Sequence, residues 1–386
     1  MPDLSLSVAA SLYAAARDTQ PVAGFTHNYY RYPARFSPRF VSTAIAEFTE
    51  PGELVVDPFV GGGTTAVVAA LANRRSVGSD VNSLATFVTR VKTTPLTREE
   101  MTAIRRWLPR AVVAAGYRQP RVDLVAALPG LDVRNLSSPG TRAIKKAMAS
   151  LLSSAQSLPT QPTRDFVRCL LLRSGQWALD GRRIVPGVEQ FRENVVASCE
   201  EMLTGMSDFA EALNPNFDRP IVVTCAASEL ATAHPFNNGV KTRLIVTSPP
   251  YVGVHVLYHR WQVAGRRETS APYWLAGCPD GRHASFYTSG SRTPTGERRY
   301  FENMRSTFGG LREIIETGGY VVQLVAFSDP IRQSQLYLEA MESAGFVECS
   351  AATARAWRDV PHRKWHAAQK GMTAASRELV LIHRAC

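Results

Sequence analysis

An α/β fold is what this chain of 386 residues predicts: a mostly parallel sheet with a helical insertion in its middle. Three observations carry that expectation. Leu54-Val55-Val56 is a compact apolar run that ends in Asp57 and leads into the glycine turn Gly61-Gly62-Gly63. Short apolar runs alternate with helical spacing on both sides of the chain's middle, the pattern of a parallel sheet with ligands at the carboxyl ends of its strands. Between residues 93 and 215, by contrast, only helical spacing occurs, broken by Pro, Gly and Ser clusters.

The elements follow in order. Met1 to Thr19 is alanine-rich, carries Asp3 and has no basic leader, so it reads as a short surface helix or frayed arm rather than an export signal. Leu54 to Asp57 is a buried strand. Gly61 and Gly63 permit backbone angles and a close ligand approach that side chains would block. Thr64 and Thr65 open the next helix, whose free N–H groups suit an electron-rich ligand group. No Lys follows the last glycine, which argues against a nucleoside-triphosphate loop. Arg75 to Asp80 is a second strand ending in an acid, placed to grip ribose hydroxyls.

The insertion predicts helices over Arg98–Ala114, Thr141–Ser154, Arg164–Ala178 and Val188–Ala212. Strands then resume at Ile221–Cys225, Leu244–Thr247 and Gly319–Phe327, with helices near Phe301–Glu316 and Ser334–Ala344 and a closing strand pair at Phe346–Ser350 and Arg377–His383. Thr247-Ser248-Pro249-Pro250-Tyr251 leaves one of these strands. Two prolines fix their own φ and restrict the residue before them, so the exit is rigid. Ser248 brings a hydroxyl and Tyr251 a flat stacking face.

A net charge of +11 and a pI near 9.6 favour a polyanionic partner. No apolar run approaches the ~18 residues of a membrane span. Six scattered cysteines without CxxC spacing indicate neither zinc nor a disulfide scaffold, and a reducing cytoplasm fits them. Cations and rings interleave from Tyr258 to Phe301, including Arg260, Trp261, Arg266, Arg267, Tyr273, Trp274, Arg282 and Tyr300. They do so again from 351 to 376, including Arg358, Arg363, Lys364 and Trp365. Such mixtures suit phosphate contact with base stacking, or simply packed rings beside solvated cations.

Taken together, the glycine motif and Ser248-Pro249-Pro250-Tyr251 resemble the amino-methylating DNA methyltransferases, which use S-adenosylmethionine; the Ser variant resembles the N4-cytosine type. Tyr30-Arg31-Tyr32-Pro33-Ala34-Arg35-Phe36-Ser37-Pro38 is similar to the segment that closes over the cofactor in that family. The resemblance covers residues 25–92 and 220–350. It implies a class I methyltransferase domain, Rossmann-like with a mostly parallel seven-stranded sheet. Residues 1–92 would hold the arm, closing segment and first half of that domain. Residues 93–215 would form a recognition or dimerisation insertion, and 216–386 the second half with its DNA-contacting loops.

By the same resemblance Ser248, Pro249, Pro250 and Tyr251 are catalytic. Tyr32, Arg35, Phe36, Asp57, Pro58, Phe59, Gly61, Gly63, Thr64, Thr65, Asp80, Val81 and Ser228 would bind the cofactor. Asp57 would orient the methionine end, Asp80 would hold the ribose, and Val81, Phe36 and Phe59 would sandwich the adenine. No metal is implied. Arg260, Trp261, Arg266, Arg267, Arg282, Arg358, Arg363, Lys364 and Trp365 would contact DNA, bound double-stranded with its target base flipped out. A cognate restriction endonuclease and a homodimer are compatible partners. The alternatives are N6-adenine methylation, guanine-amine RNA methylation and a catalytically silent nucleic-acid-binding module.

Overall fold

The computed structural model describes residues 4–18, 20, 22–32, 37–115, 133–252, 260–265, 267–280, 290–291, 293–349, 357–359 and 377–386. Leu54-Val55-Val56 runs straight into strand β1 (Leu54–Asp57), buried at all four positions as a doubly covered parallel strand should be. Next to it lies β2 (Arg75–Ser79), and beyond that β3 (Ile221–Val223), both parallel. On its other side β1 pairs in parallel with β4 (Thr242–Thr247), with Val55 opposite Leu244 and Val56 opposite Ile245.

A two-stranded ribbon, β5 (Trp261–Val263) with β6 (Arg267–Thr269), stands apart from this sheet. The main sheet continues through β7 (Ile315–Val325), parallel to β4, and then through the antiparallel β10 (Arg377–Ala385), which pairs with β8 (Phe346–Glu348) and β9 (Trp357–Asp359). The strand order is β3-β2-β1-β4-β7-β10-β8, with β9 as an eighth strand beside β10 where seven were expected. This is the class I methyltransferase arrangement. The order reverses between β1 and β4, and such a switch point opens a crevice outside the strands' carboxyl ends.

Alternation along the strands sorts the core into two layers. Val56, Ile245, Val321, Val325, Leu379 and Leu381 face helices α10 (Pro294–Ile314) and α11 (Pro330–Ser343). Val55, Leu244, Val246, Val322, Leu324, Val380 and Ile382 face α1 (Leu6–Ala16) and α2 (Pro38–Phe48). The expected surface arm is therefore wrong: α1 buries Ala9, Leu12, Ala15 and Ala16 against the sheet. Leu4, Leu12 and the alanines form one apolar face, which packs against α2 and the sheet.

Helix α3 (Thr64–Leu71) follows the glycine turn and α4 (Ser83–Lys92) follows β2. The insertion forms α5 (Arg98–Ala114), α6 (Pro139–Ser154), α7 (Gln161–Leu179) and α8 (Val188–Ala212), at nearly the expected bounds. Thr97 and Glu100 close a capping box at the start of α5. The insertion does not pack alone. Its core takes in Tyr29, Tyr30, Tyr32, part of α4, and the stretch from Trp261 through α9 (Ala271–Ala276).

One side chain joins the two halves of the sheet at its switch point. Asp57 Oδ1 accepts from Thr247 Oγ1 at 2.8 Å, and Oδ2 accepts from Thr65 Oγ1 at 2.7 Å. Replacing Thr247 with Val leaves that buried carboxylate one donor short and should cost about 1–3 kcal/mol of stability, read from the denaturant midpoint; an unchanged midpoint would remove this bond from the fold's support.

Candidate active site

The crevice is built from three chain turns at the sheet's carboxyl edge. In the first, Gly61 and Gly63 take φ of +47° and +78°, where side chains are strained. A Cβ on Gly63 would come within 2.8 Å of Thr89 Oγ1, and one on Gly61 within 3.3 Å of the Tyr32 ring. Beneath the turn the Lys92 ammonium, fully buried, donates to the Gly62 carbonyl at 2.7 Å and the His27 carbonyl at 3.0 Å. Sequence alone offered no sign of this lysine, since it reads as an ordinary cation in the last turn of α4.

In the second turn Asp80 Oδ2 accepts from the Gly61 N–H at 3.0 Å and Oδ1 from the Asn82 N–H at 2.9 Å. The residue keeps some surface open while its carboxylate is enclosed. Beside it Val81 stands 41% exposed, an apolar side chain at the lip of the crevice. Asn82 accepts from Tyr273 Oη at 3.1 Å and lies within 3.5 Å of Tyr32 Oη, while Ser83 Oγ donates to the Pro279 carbonyl at 2.6 Å. Residues 273–280 thus press against the glycine turn's neighbours.

The third turn is Ser248 to Tyr251. Ser248 Oγ donates to the Leu324 carbonyl at 2.9 Å and lies 3.1 Å from Tyr251 Oη. Tyr251 Oη in turn donates to Glu378 Oε1 at 2.6 Å. The Pro250 carbonyl accepts from Tyr300 Oη at 3.0 Å, and Pro249 is buried. Glu378 escaped sequence reading although it carried a signal: it is the one acid in the otherwise apolar stretch at the start of the final strand.

Burial pushes both aspartates up, each to about 6 from 3.8. For Asp57 the bonds from Thr65, Thr247 and the Phe59 N–H pull the other way; for Asp80 those from Asn82 and Gly61 do, while Asp57 nearby adds to the rise.

The structure corrects several expected DNA contacts. Trp261 is fully buried and its Nε1 donates to Tyr30 Oη at 3.0 Å, so its ring belongs to the insertion's core and cannot stack on a base. Tyr273, Trp274 and Tyr300 are buried as well. Arg358 pairs with Glu378 and donates to the Ala16 carbonyl at 3.2 Å, which takes it out of the solvent-facing set. Arg260 is held by Asp280 at 2.8 Å and by Glu268 at 3.7 Å. Arg267 is exposed on β6. Ser228 lies in a short 3-10 helix whose carbonyl faces Gly310 of α10. Pro58 and Phe59 line the first turn, buried and half-buried. Arg35, Phe36, Arg266, Arg282, Arg363, Lys364 and Trp365 lie outside the described residues.

The glycine cradle, an enclosed acid and an exposed apolar residue beside it fit a nucleoside-bearing cofactor at the crevice. Comparison with known proteins agrees: residues 15–86, which contain both turns, match the family model of the N6/N4 DNA methylases. S-adenosylmethionine is the cofactor this implies. The chain is 38% identical over 53 residues to the orphan methyltransferase M.BamHII of Bacillus amyloliquefaciens, covering 14% of this chain and 20% of that one. It is 39% identical over 56 residues to the type II methyltransferase M.BsoBI of Geobacillus stearothermophilus, covering 14% and 11%. The chain therefore spans a fifth or less of the curated relatives it matches. Among solved structures, TrmN from Thermus thermophilus aligns over 93% of this chain and 52% of its own at 11% identity, with a TM-score of 0.34. Among the described residues no helix is long and apolar enough to cross a membrane.

The two raised acids have a pH signature. A carboxyl whose folded pKa exceeds its unfolded value binds its proton more tightly when folded, so its contribution to stability is full below about pH 4, declines up to about 6 and stays lost above. Asp57→Asn should flatten that decline in the cofactor-free chain; denaturant midpoints at several pH values between 4 and 7 check it, and an unaltered slope would contradict the assignment.

Proposed function

We propose that this protein transfers a methyl group from S-adenosylmethionine to the exocyclic N4 amine of a cytosine flipped out of duplex DNA. The observation that carries the reading is the Asp57–Thr247 bond, which sets the glycine turn beside the residue preceding Ser248. Two motifs far apart along the chain thereby share one crevice. Ser248, in place of an acid before the two prolines, favours cytosine over adenine.

The chain's residues divide the work. Asp80 and Val81 would hold the ribose and adenine ends of the cofactor, Tyr32 backs the glycine turn, and S-adenosylmethionine supplies the methyl group. Tyr251 offers its ring to the extruded base. Ser248 Oγ and the Pro249 carbonyl accept the amine's hydrogens, turning the nitrogen lone pair toward the donor. Positioning of this kind removes up to ~7–11 kcal/mol of entropic barrier. Asp57 acts from behind: its oxygens already accept from Thr65, Thr247 and Phe59, so it shapes the crevice rather than reaching far into it. Arg267, Arg298 and Arg299, in the basic stretch after Tyr251, are exposed and would be open to phosphates.

Nucleosides from DNA of an expressing host, separated by mass, should contain N4-methylcytosine. N6-methyladenine alone would move the activity to adenine, and neither base would favour a silent binding module. Ser248→Ala and Tyr251→Ala should lose about a hundredfold or more in transfer while S-adenosylmethionine still binds; near-full activity in either would overturn these roles. Asp80→Ala should weaken cofactor binding by calorimetry about tenfold or more, since a charge-assisted bond to a hydroxyl is lost, and unchanged affinity would free Asp80 from the ribose.

A further inference from the structure

We infer that Glu378 is the end of a hydrogen-bond chain, Ser248–Tyr251–Glu378, that orients Ser248 as an acceptor and receives the proton released by the methylated amine. The inference rests on the amine-methylation reading above and assigns a residue that lies far along the chain from both motifs.

The polarity of the chain follows from proton counting. Tyr251 has a single hydroxyl proton, and the carboxylate of Glu378, 2.6 Å away, can only accept. Tyr251 Oη must therefore accept in its 3.1 Å contact with Ser248. The other neighbour of Ser248 Oγ is the Leu324 carbonyl, also an acceptor. Both contacts thus draw on the one Ser248 proton, and the lone pairs of its oxygen remain to take an N–H from a bound amine. Without the carboxylate, Tyr251 could turn its proton onto Ser248 and spend the lone pair that the substrate needs.

Glu378 is held for this task. It is 3% exposed at the second position of β10, opposite Arg358 of β9 in the antiparallel register. The Arg358 guanidinium grips its other oxygen, Oε2, through Nε at 2.6 Å and through Nη2, and is itself fastened to the Ala16 carbonyl of α1. Two guanidinium nitrogens on that one oxygen hold the carboxylate in place and leave Oε1 turned to Tyr251. Tyr300 binds the Pro250 carbonyl and stays outside the chain.

The transfer balances. The amine's lone pair forms the N–C bond while the donor's C–S pair stays on sulfur, and the nitrogen gives up one proton. That proton passes to Ser248 Oγ as the Ser248 proton passes to Tyr251 Oη and the Tyr251 proton to Glu378 Oε1. Serine and tyrosine end as they began, and the carboxylate becomes a carboxylic acid that later returns its proton to solvent. Ser248, a poor base alone, needs only to relay.

The test uses the full chain, S-adenosylmethionine and bacterial genomic DNA amplified in vitro, which carries short sequence contexts in an unmethylated state. Glu378→Gln keeps an oxygen that can accept from Tyr251 but cannot hold the proton. Its kcat should fall about a hundredfold, with the KM for DNA and the calorimetric affinity for S-adenosylmethionine nearly unchanged; the retained affinity also shows that it folds. Tyr251→Phe, which keeps the ring, should lose a comparable factor, and the double variant should lose little more than either alone, as members of one chain do. In the cofactor-free protein labelled at tyrosine Cζ, the Tyr251 resonance, identified by its loss in Tyr251→Phe, should move in both Glu378→Gln and Ser248→Ala. A Glu378→Gln enzyme with wild-type kcat, or an unmoved Tyr251 resonance, overturns the inference. A wild-type protein that binds the cofactor yet methylates no base amine overturns the amine reading beneath it, a result distinct from either.

Discussion

A buried carboxylate at a sheet's switch point is the constraint on which this structure turns. Asp57 ends β1, and everything it accepts from comes from elsewhere in the crevice: Thr65 at the start of α3, the Phe59 N–H in the turn, and Thr247 at the end of β4. A carboxylate removed from water is costly unless its oxygens are satisfied, so these donors are obliged to converge. Their convergence sets the glycine turn and the Ser248–Tyr251 turn in one crevice. The raised pKa of Asp57 is the residue of a burial that three hydrogen bonds only partly offset.

A second layer of tyrosines and amides ties the insertion to the site. Tyr29 donates to the Met202 carbonyl of α8 at 2.7 Å, Tyr30 receives Trp261, and Asn82 receives Tyr273. Residues following the Ser248–Tyr251 turn are thereby folded onto the helices of the insertion, and those helices onto α4. A change in how the insertion sits would reach Asn82, and through its N–H bond Asp80. This gives the insertion a physical route to the Asp80 side of the crevice.

The third element is the antiparallel edge. β10 carries Glu378 beneath Tyr251, and β9 brings Arg358 opposite it. Rings and cations that resembled a nucleic-acid surface in the sequence turn out to be divided. Trp261, Trp274 and Arg358 are spent inside the protein, and Arg267, Arg298 and Arg299 face out. Composition cannot make that division, because a tryptophan has the same letter whether it stacks on a base or fills a core.

Local chemistry was legible in the chain itself. Short apolar runs before Asp57 and Thr247, the glycines of the turn at positive φ, and the helices of the insertion all announce themselves through short-range physics: strand burial, backbone freedom and helical periodicity. Those signals made the α/β class and the turns at the strands' carboxyl ends readable from letters alone. What only the tertiary structure decided is which side chains meet. Lys92 under the glycine turn, Asn82 between Tyr273 and Tyr32, and Glu378 behind Tyr251 are pairings across 30 to 191 residues of chain. They arise because sheet order and crossover connections bring distant strands side by side, and no local propensity encodes a neighbour that the chain reaches only by folding.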